Sequence, residues 1–273
     1  MLCGGSIAFE DYPLEELLHL MRDVGFDKVE MWKPQLKRCK TPELRGHFVD
    51  YAQRIGLSMG GLNVVGEPYY KPFGTDSELN ATLEGLKADV DYGLSLGVHD
   101  VLIWEGVRPQ GITDLECRDR LLPRLAELFR AAIAFAAPRG ARFLIEPHPF
   151  TVGIDNDFTI HLYETLDTPH FGVLYDCCHY GVGQPRDYVK AIHKLGPRIH
   201  HIHFADSDQK SSELHFALGA GKLDLDAILR AFKEVKYAGT LTLDVYGNPL
   251  PVQAARQSIP RLRAACEFLG LSG

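Results

Sequence analysis

Apolar and polar positions along the chain follow two rhythms that take turns from one end to the other. Short β-rich runs occupy residues 3–9, 28–32, 57–65, 100–106, 142–148, 171–176, 198–206 and 240–247. Longer stretches with helical spacing lie between them, at 13–25, 42–56, 77–97 and 117–140. Each of these four ends in a glycine (Gly25, Gly56, Gly97, Gly140), where a helix C-cap needs a positive φ. Three weaker helical patterns follow at 158–166, 187–195 and 225–235, and a last one runs over 252–269.

Eight strand-plus-helix units predict an α/β protein of the (β/α)₈ TIM-barrel class, and 273 residues suit that fold better than a doubly wound sheet. No Pro/Gly/Ser linker or charge run divides the sequence, so the expectation is a single domain over 1–273. Several strands are apolar on both faces, as expected between a packed barrel interior and a ring of helices.

Composition narrows the partners. A hydrophobic fraction of 45% is that of an ordinary globular protein, and a net charge of −7 repels phosphate backbones and anionic lipid surfaces, which disfavours nucleic acid and membranes as partners. No run approaches the roughly 20 apolar residues of a membrane span, and the N-terminus lacks the order of a signal peptide, so a cytoplasmic chain is expected. Six scattered cysteines without a C-x-x-C pair agree with that compartment. Cys177 and Cys178, read as continuing a strand, would point to opposite faces and stay as buried thiols.

The chemistry concentrates late in the chain. Nine of the twelve histidines fall between His148 and His215. Period two puts Leu144, Glu146 and His148 on one face of the fifth strand, ends the sixth at Asp176, and aligns His201 with His203 on the seventh; Asp244 points inward on the eighth. Four consecutive strands thus deliver Glu146, Asp176, His203 and Asp244 to the C-terminal rim, where such barrels build active sites. Each alone has a bland use, since a strand-end Asp often caps a helix. Three unpaired carboxylates converging in a barrel mouth need a compensating cation, and three oxygens with one imidazole suit a divalent ion, Mn²⁺ first, with Mg²⁺, Co²⁺ or Zn²⁺ as alternatives.

The segments IEPHP, YDCCH, HIHFAD, GAGKLDLDAIL and YAGTLTLDVYG, together with GFDKVEMW near the start, resemble the xylose isomerase-like TIM-barrel superfamily of sugar isomerases and epimerases. That superfamily also holds inosose and dehydroshikimate dehydratases and endonuclease IV. The resemblance implies metal ligands at Glu146, Asp176, His203 and Asp244, and a substrate contact at His179. His215 stands where many relatives have arginine. Ketose 3-epimerases of the superfamily usually have glutamate in place of Asp244, and another six positions after the strand-five ligand, where this chain has Val152; His148 lies two positions after that ligand.

The expected activity is a metal-dependent isomerase or epimerase acting on a ketose or keto-sugar through an enediolate. The alternative is a dehydratase or lyase of a keto-sugar, keto-cyclitol or 3-keto-glycoside, favoured by Asp244 and His148. Less expected are an endonuclease IV-like phosphodiesterase or an inactive partner subunit. Glu146, Asp244 and His148 are the candidate catalytic groups, with His148 as base, relay or ligand-steering residue. His179, His215 and Asp206 are candidate substrate contacts, and Trp32 and Trp104 a candidate wall against the sugar. The small-molecule sugar is the expected partner, with a homo- or hetero-oligomer possible. The proline- and aromatic-rich loop 63–74 reads as a lid or a packed loop, and Gly219-Ala220-Gly221 as a tight turn.

Overall fold

A computed structural model describes residues 1–271. Eight parallel strands close into a barrel in sequence order: β1 (Cys3–Gly5), β2 (Lys28–Trp32), β3 (Ser58–Asn63), β4 (Asp100–Ile103), β5 (Arg142–Ile145), β6 (Phe171–Asp176), β7 (Ile199–Phe204) and β8 (Thr240–Leu243). Closure comes from β1 pairing with β8, Gly4 opposite Leu243. The fold is thus the (β/α)₈ barrel that the eightfold alternation predicts. Most strands stop two to four residues short of the apolar runs. Glu146, His148 and Asp244 therefore stand just past a strand end, not within it.

The helices Leu14–Val24, Pro42–Arg54, Asp76–Ser95 and Leu122–Ala136 are the four strong amphipathic patterns. Gly25, Gly56, Gly97 and Gly140 all adopt positive φ where those segments end. Between helices and sheet lies one continuous apolar core. Inside the barrel a separate small cluster forms from Leu102, Leu144 and Leu174. This leucine layer plugs the barrel and seals the floor of whatever sits above it. No helix among the described residues is long and apolar enough to cross a membrane.

One segment departs from the strand reading. Residues Cys177–Gly183 form a helix that starts directly at the end of β6, because the Asp176 carboxylate caps it by accepting the His179 N–H at 2.8 Å. Cys177 and Cys178 are therefore helical, although both remain buried free thiols. The loop after β3 is pinned, not loose. The Lys71 amide donates to Thr82 Oγ1 at 2.9 Å, Tyr70 Oη to the Glu105 carbonyl at 3.2 Å, and Arg124 to the carbonyls of Pro72 and Gly74. It is a packed loop that walls the barrel mouth.

Candidate active site

On β5 to β8 an ionisable side chain lies two residues, about 6–7 Å along the strand, beyond the last inward-facing residue of the barrel interior. Leu144 is followed by Glu146, Leu174 by Asp176, His201 by His203 and Thr242 by Asp244, all eight buried. Glu146 is held by its own amide, which donates to the Ile103 carbonyl at 2.8 Å. One oxygen of Asp176 is engaged by the cap of the following helix, and one of Asp244 accepts the Tyr246 N–H at 2.9 Å, so each keeps a second oxygen for the barrel mouth.

The centre of the group is His203. Its Nδ1 lies 2.7 Å from Glu146 Oε1, 3.5 Å from Asp176 Oδ2 and 3.7 Å from Asp244 Oδ2. On its other side Nε2 reaches Glu30 at 3.0 Å. Four carboxylates thus surround one imidazole. His215 Nδ1 stands 3.2 Å from Asp244 Oδ2, and His179 Nδ1 stands 3.9 Å from Glu146 Oε1.

Electrostatics follow from that crowding. Burial disfavours a charged His203, yet Glu30 and Glu146 outweigh it and hold the imidazole well above its usual range. His215 is raised in the same way against its burial by Asp176 and Asp244, while burial drives His179 down. Burial raises the Glu146 carboxyl against the pull of His203. For Asp176 burial would do the same, but the imidazoles around it win and hold it low. Protons on imidazole are here the main charge opposing the acids.

The residues fit a divalent ion better than they fit one another. Asp176 Oδ2 and the Nδ1 atoms of His179, His203 and His215 are buried without an aligned hydrogen-bond partner. Glu146, Asp176 and His203 bring ligand atoms within 4.8 Å of one another. A second grouping of similar size, Glu30 with His201 and His203, is closed by internal bonds: Glu30 accepts from Asn63 and from both histidines. A third combines Asp176 and His215 with Cys178, whose thiol is turned towards Ser207 and nearby carbonyls. The first borders, through both Glu146 and His203, a cavity of about 170 Å³ that Asp244, His179, His215, Trp32 and Trp104 also line, whereas the second reaches it through His203 alone and the third through His215 alone.

The other sequence candidates separate into two groups. Trp104 donates from Nε1 to Glu146 Oε2 at 3.2 Å, and Trp32 donates to the Val65 carbonyl at 3.0 Å, so both walls are fixed. His148 is fully buried and does not line the cavity; its ring packs against Trp104, Phe150 and His179, and Nε2 meets Glu213 Oε1 at 2.7 Å. Asp206 is not in the cavity either. Its carboxylate accepts the N–H groups of Ser207, Gly219, Gly221 and Leu223, which makes it the organiser of the tight turn around Gly219.

Two carboxylates were not anticipated. Glu213, from the loop after β7, lines the cavity and is half exposed. Nothing local in the sequence marks it. Glu30 could have been found, because an acid in the middle of KVEMW, on the barrel-facing side of β2, needs a buried partner.

Comparison with known proteins agrees with this architecture. The family model described as xylose isomerase-like TIM barrel matches residues 18–265. Fructoselysine 3-epimerase of Shigella flexneri is 24% identical over 269 residues, spanning 92% of this chain and 93% of that protein. A structure of L-ribulose 3-epimerase superposes with a TM-score of 0.80 at 18% identity, covering 99% of this chain and 95% of the other. A crystal structure of the IOLI protein with a bound zinc atom gives a TM-score of 0.76 at 19% identity, covering 100% and 99%. These structural likenesses carry the fold, and the family match covers most of the sequence: the chain belongs to the xylose isomerase-like TIM-barrel family.

Proposed function

We propose that this protein is a divalent-metal-dependent sugar epimerase, which moves a proton at a carbon next to the carbonyl of a ketose or keto-sugar. The observation that carries the reading is the cavity itself: acids and imidazoles from β5 to β8 converge there with buried ligand atoms left unpartnered. The names of the relatives, a fructoselysine 3-epimerase and an L-ribulose 3-epimerase, support the same chemistry.

Glu146, Asp176, His203 and Asp244 would hold the ion, with Mn²⁺ the best fit to three oxygens and one imidazole and Mg²⁺, Co²⁺ or Zn²⁺ as alternatives. When bound, the ion would polarise the carbonyl and the neighbouring hydroxyl of the substrate and acidify the C–H of the hydroxyl-bearing carbon next to the carbonyl. His203 is oriented for this by Glu30, which fixes Nε2 and leaves Nδ1 facing the acids.

Epimerisation needs a proton removed on one side of a carbon and returned on the other. Glu146 after β5 and Asp244 after β8 enter the cavity from strands separated by β6 and β7, which suits a pair of bases on different sides of the substrate. His215, 3.2 Å from Asp244, can take up or supply the proton that Asp244 handles. His179 and Glu213 are the candidate hydroxyl contacts, and Trp32 and Trp104 exclude water from the sugar. No lysine or arginine lines this cavity among the described residues, which favours an unphosphorylated substrate.

The dehydratase or lyase alternative rests on His148 and Asp244. With His148 packed behind Trp104, only the shortened side chain of Asp244 still favours it. The test is a panel of ketoses incubated with the Mn²⁺-loaded protein in deuterated water and followed by NMR. An epimer carrying deuterium at the inverted carbon supports epimerisation. Loss of water, cleavage, or no turnover of any ketose contradicts it.

A further inference from the structure

The catalytic cavity has a neighbour. A second chamber of about 450 Å³ lies between the loop after β3 and the end of β4, and Val65, Gly66 and Trp104 line both spaces. Its remaining wall is largely apolar, with Tyr70, Pro72, Phe73, Ile103 and Val107 prominent.

The chamber is built in advance of any ligand. Its outer wall is the pinned loop, tied to the helices Asp76–Ser95 and Leu122–Ala136 by the bonds from Lys71 and Arg124 described above. Gly106 completes the fit: its φ of +139° and missing side chain let Phe73 and Pro72 lie where a Cβ would come within 2.6 and 2.9 Å of them. Three charged side chains reach the wall, and each already has a partner. Lys71 pairs with Glu78 at 3.0 Å, and Glu67 lies 3.3 Å from Lys33, whose ammonium it shares with the buried Asp89 at 2.5 Å. An ionic guest would find no free counter-charge there, whereas an apolar one would gain by leaving water.

We infer that this chamber is a subsite for a neutral apolar substituent on the sugar, so that the preferred substrate is a ketose carrying an aryl or alkyl group and not the free sugar. The inference rests on the epimerase reading for the sugar-binding half of the site. It sets this chain apart from an enzyme whose substrate carries a charged tail.

Both tryptophans of the chain line the catalytic cavity, so quenching of intrinsic fluorescence reports binding without turnover. The probes are D-fructose, its 1-O-benzyl and 6-O-benzyl ethers, and the matching 6-aminohexyl ethers, each titrated into the Mn²⁺-loaded protein. One of the two benzyl ethers is expected to bind about tenfold more tightly than fructose, and its aminohexyl counterpart no better than fructose. Val107 lines the chamber and is 56% exposed at its mouth, and V107W, which adds an indole to that wall, should bring the benzyl-to-fructose affinity ratio close to one. Because both ligands are measured on one sample, the ratio is insensitive to partial loss of folded protein. Benzyl ethers that bind no better than fructose, or not at all, overturn the subsite, as does a ratio that V107W leaves intact or an equal gain with the aminohexyl ether. Proton exchange in the same samples separates the two claims. A benzyl ether that binds tightly yet never exchanges a carbon-bound proton sinks the epimerase reading alone, and equal exchange of both sugars without an affinity gain sinks the subsite alone.

Discussion

The two halves of the barrel use the same level of the mouth differently. From β5 to β8 that level holds Glu146, Asp176, His203 and Asp244, every one ionisable. From β1 to β4 the cavity is lined instead by Ile7, Trp32, Asn63, Val65, Gly66 and Trp104, none of them titratable. The acid that β2 does contribute, Glu30, is buried and spent on His201 and His203, which also holds its carboxyl below the usual range against burial. On the proposed function, the first of these halves moves protons and the other shapes and dries the space in which they move.

That division is open to mutation, beginning where the largest change is expected. Glu146→Gln keeps the shape of the site but removes a charge that neighbours His203 and Asp244, and turnover should fall by about a thousandfold or more with circular dichroism unchanged. A loss below tenfold would mean that the proton-moving half has been misassigned.

The next largest effect concerns stability and lies in the other half. Glu105 follows Trp104 but faces away from the cavity, and burial raises its carboxyl to about 7. The folded protein therefore keeps this proton to about pH 7, whereas the unfolded chain loses it near 4.5. Unfolding is favoured progressively as pH rises through that window, by up to about 3 kcal/mol, and the penalty is complete above it. Glu105→Gln should remove that part of the slope in urea unfolding measured from pH 4.5 to 7.5. An unchanged slope would show that Glu105 is ionised in the folded protein.

Glu30→Gln tests whether the first half acts on chemistry only through another residue. Metal affinity, measured by titration of the stripped protein, and kcat should both drop by about 10- to 100-fold. A drop as deep as that of Glu146→Gln would make Glu30 a direct participant. The smallest change is expected from Trp104→Phe, which keeps the wall and deletes one hydrogen bond to Glu146. It should cost about 1 kcal/mol in kcat/KM, and a much larger loss would give the wall a role in orienting the base.

Much of this was legible in the sequence because it depends on local rules. The strand-to-helix alternation and the four capping glycines predict the barrel, and period two together with the strand ends brings Glu146, Asp176, His203 and Asp244 to the C-terminal rim, although it also puts His148 on that face, where the ring packs against Trp104 outside the cavity. What stayed hidden depends on contacts between distant segments. Glu213 reaches the cavity from a long loop and meets His148 across 65 positions of sequence, which no periodicity encodes. Asp206 looks like a rim acid until the N–H groups of residues 219 to 223 fold back onto it. The helix at Cys177 was obscured for a local reason, since Asp176 ends a strand and caps a helix with the same side chain.

On the proposed function, the acids and imidazoles of β5 to β8 serve a bound divalent ion in proton transfer at a sugar carbon. Deuterium incorporation at a carbon-bound position of a ketose, followed by NMR before and after dialysis against a chelator, tests it most directly. Exchange is expected at one carbon, lost on dialysis and restored by Mn²⁺. Exchange that survives removal of the metal, or its absence from the Mn²⁺-loaded protein with every ketose tried, would contradict it.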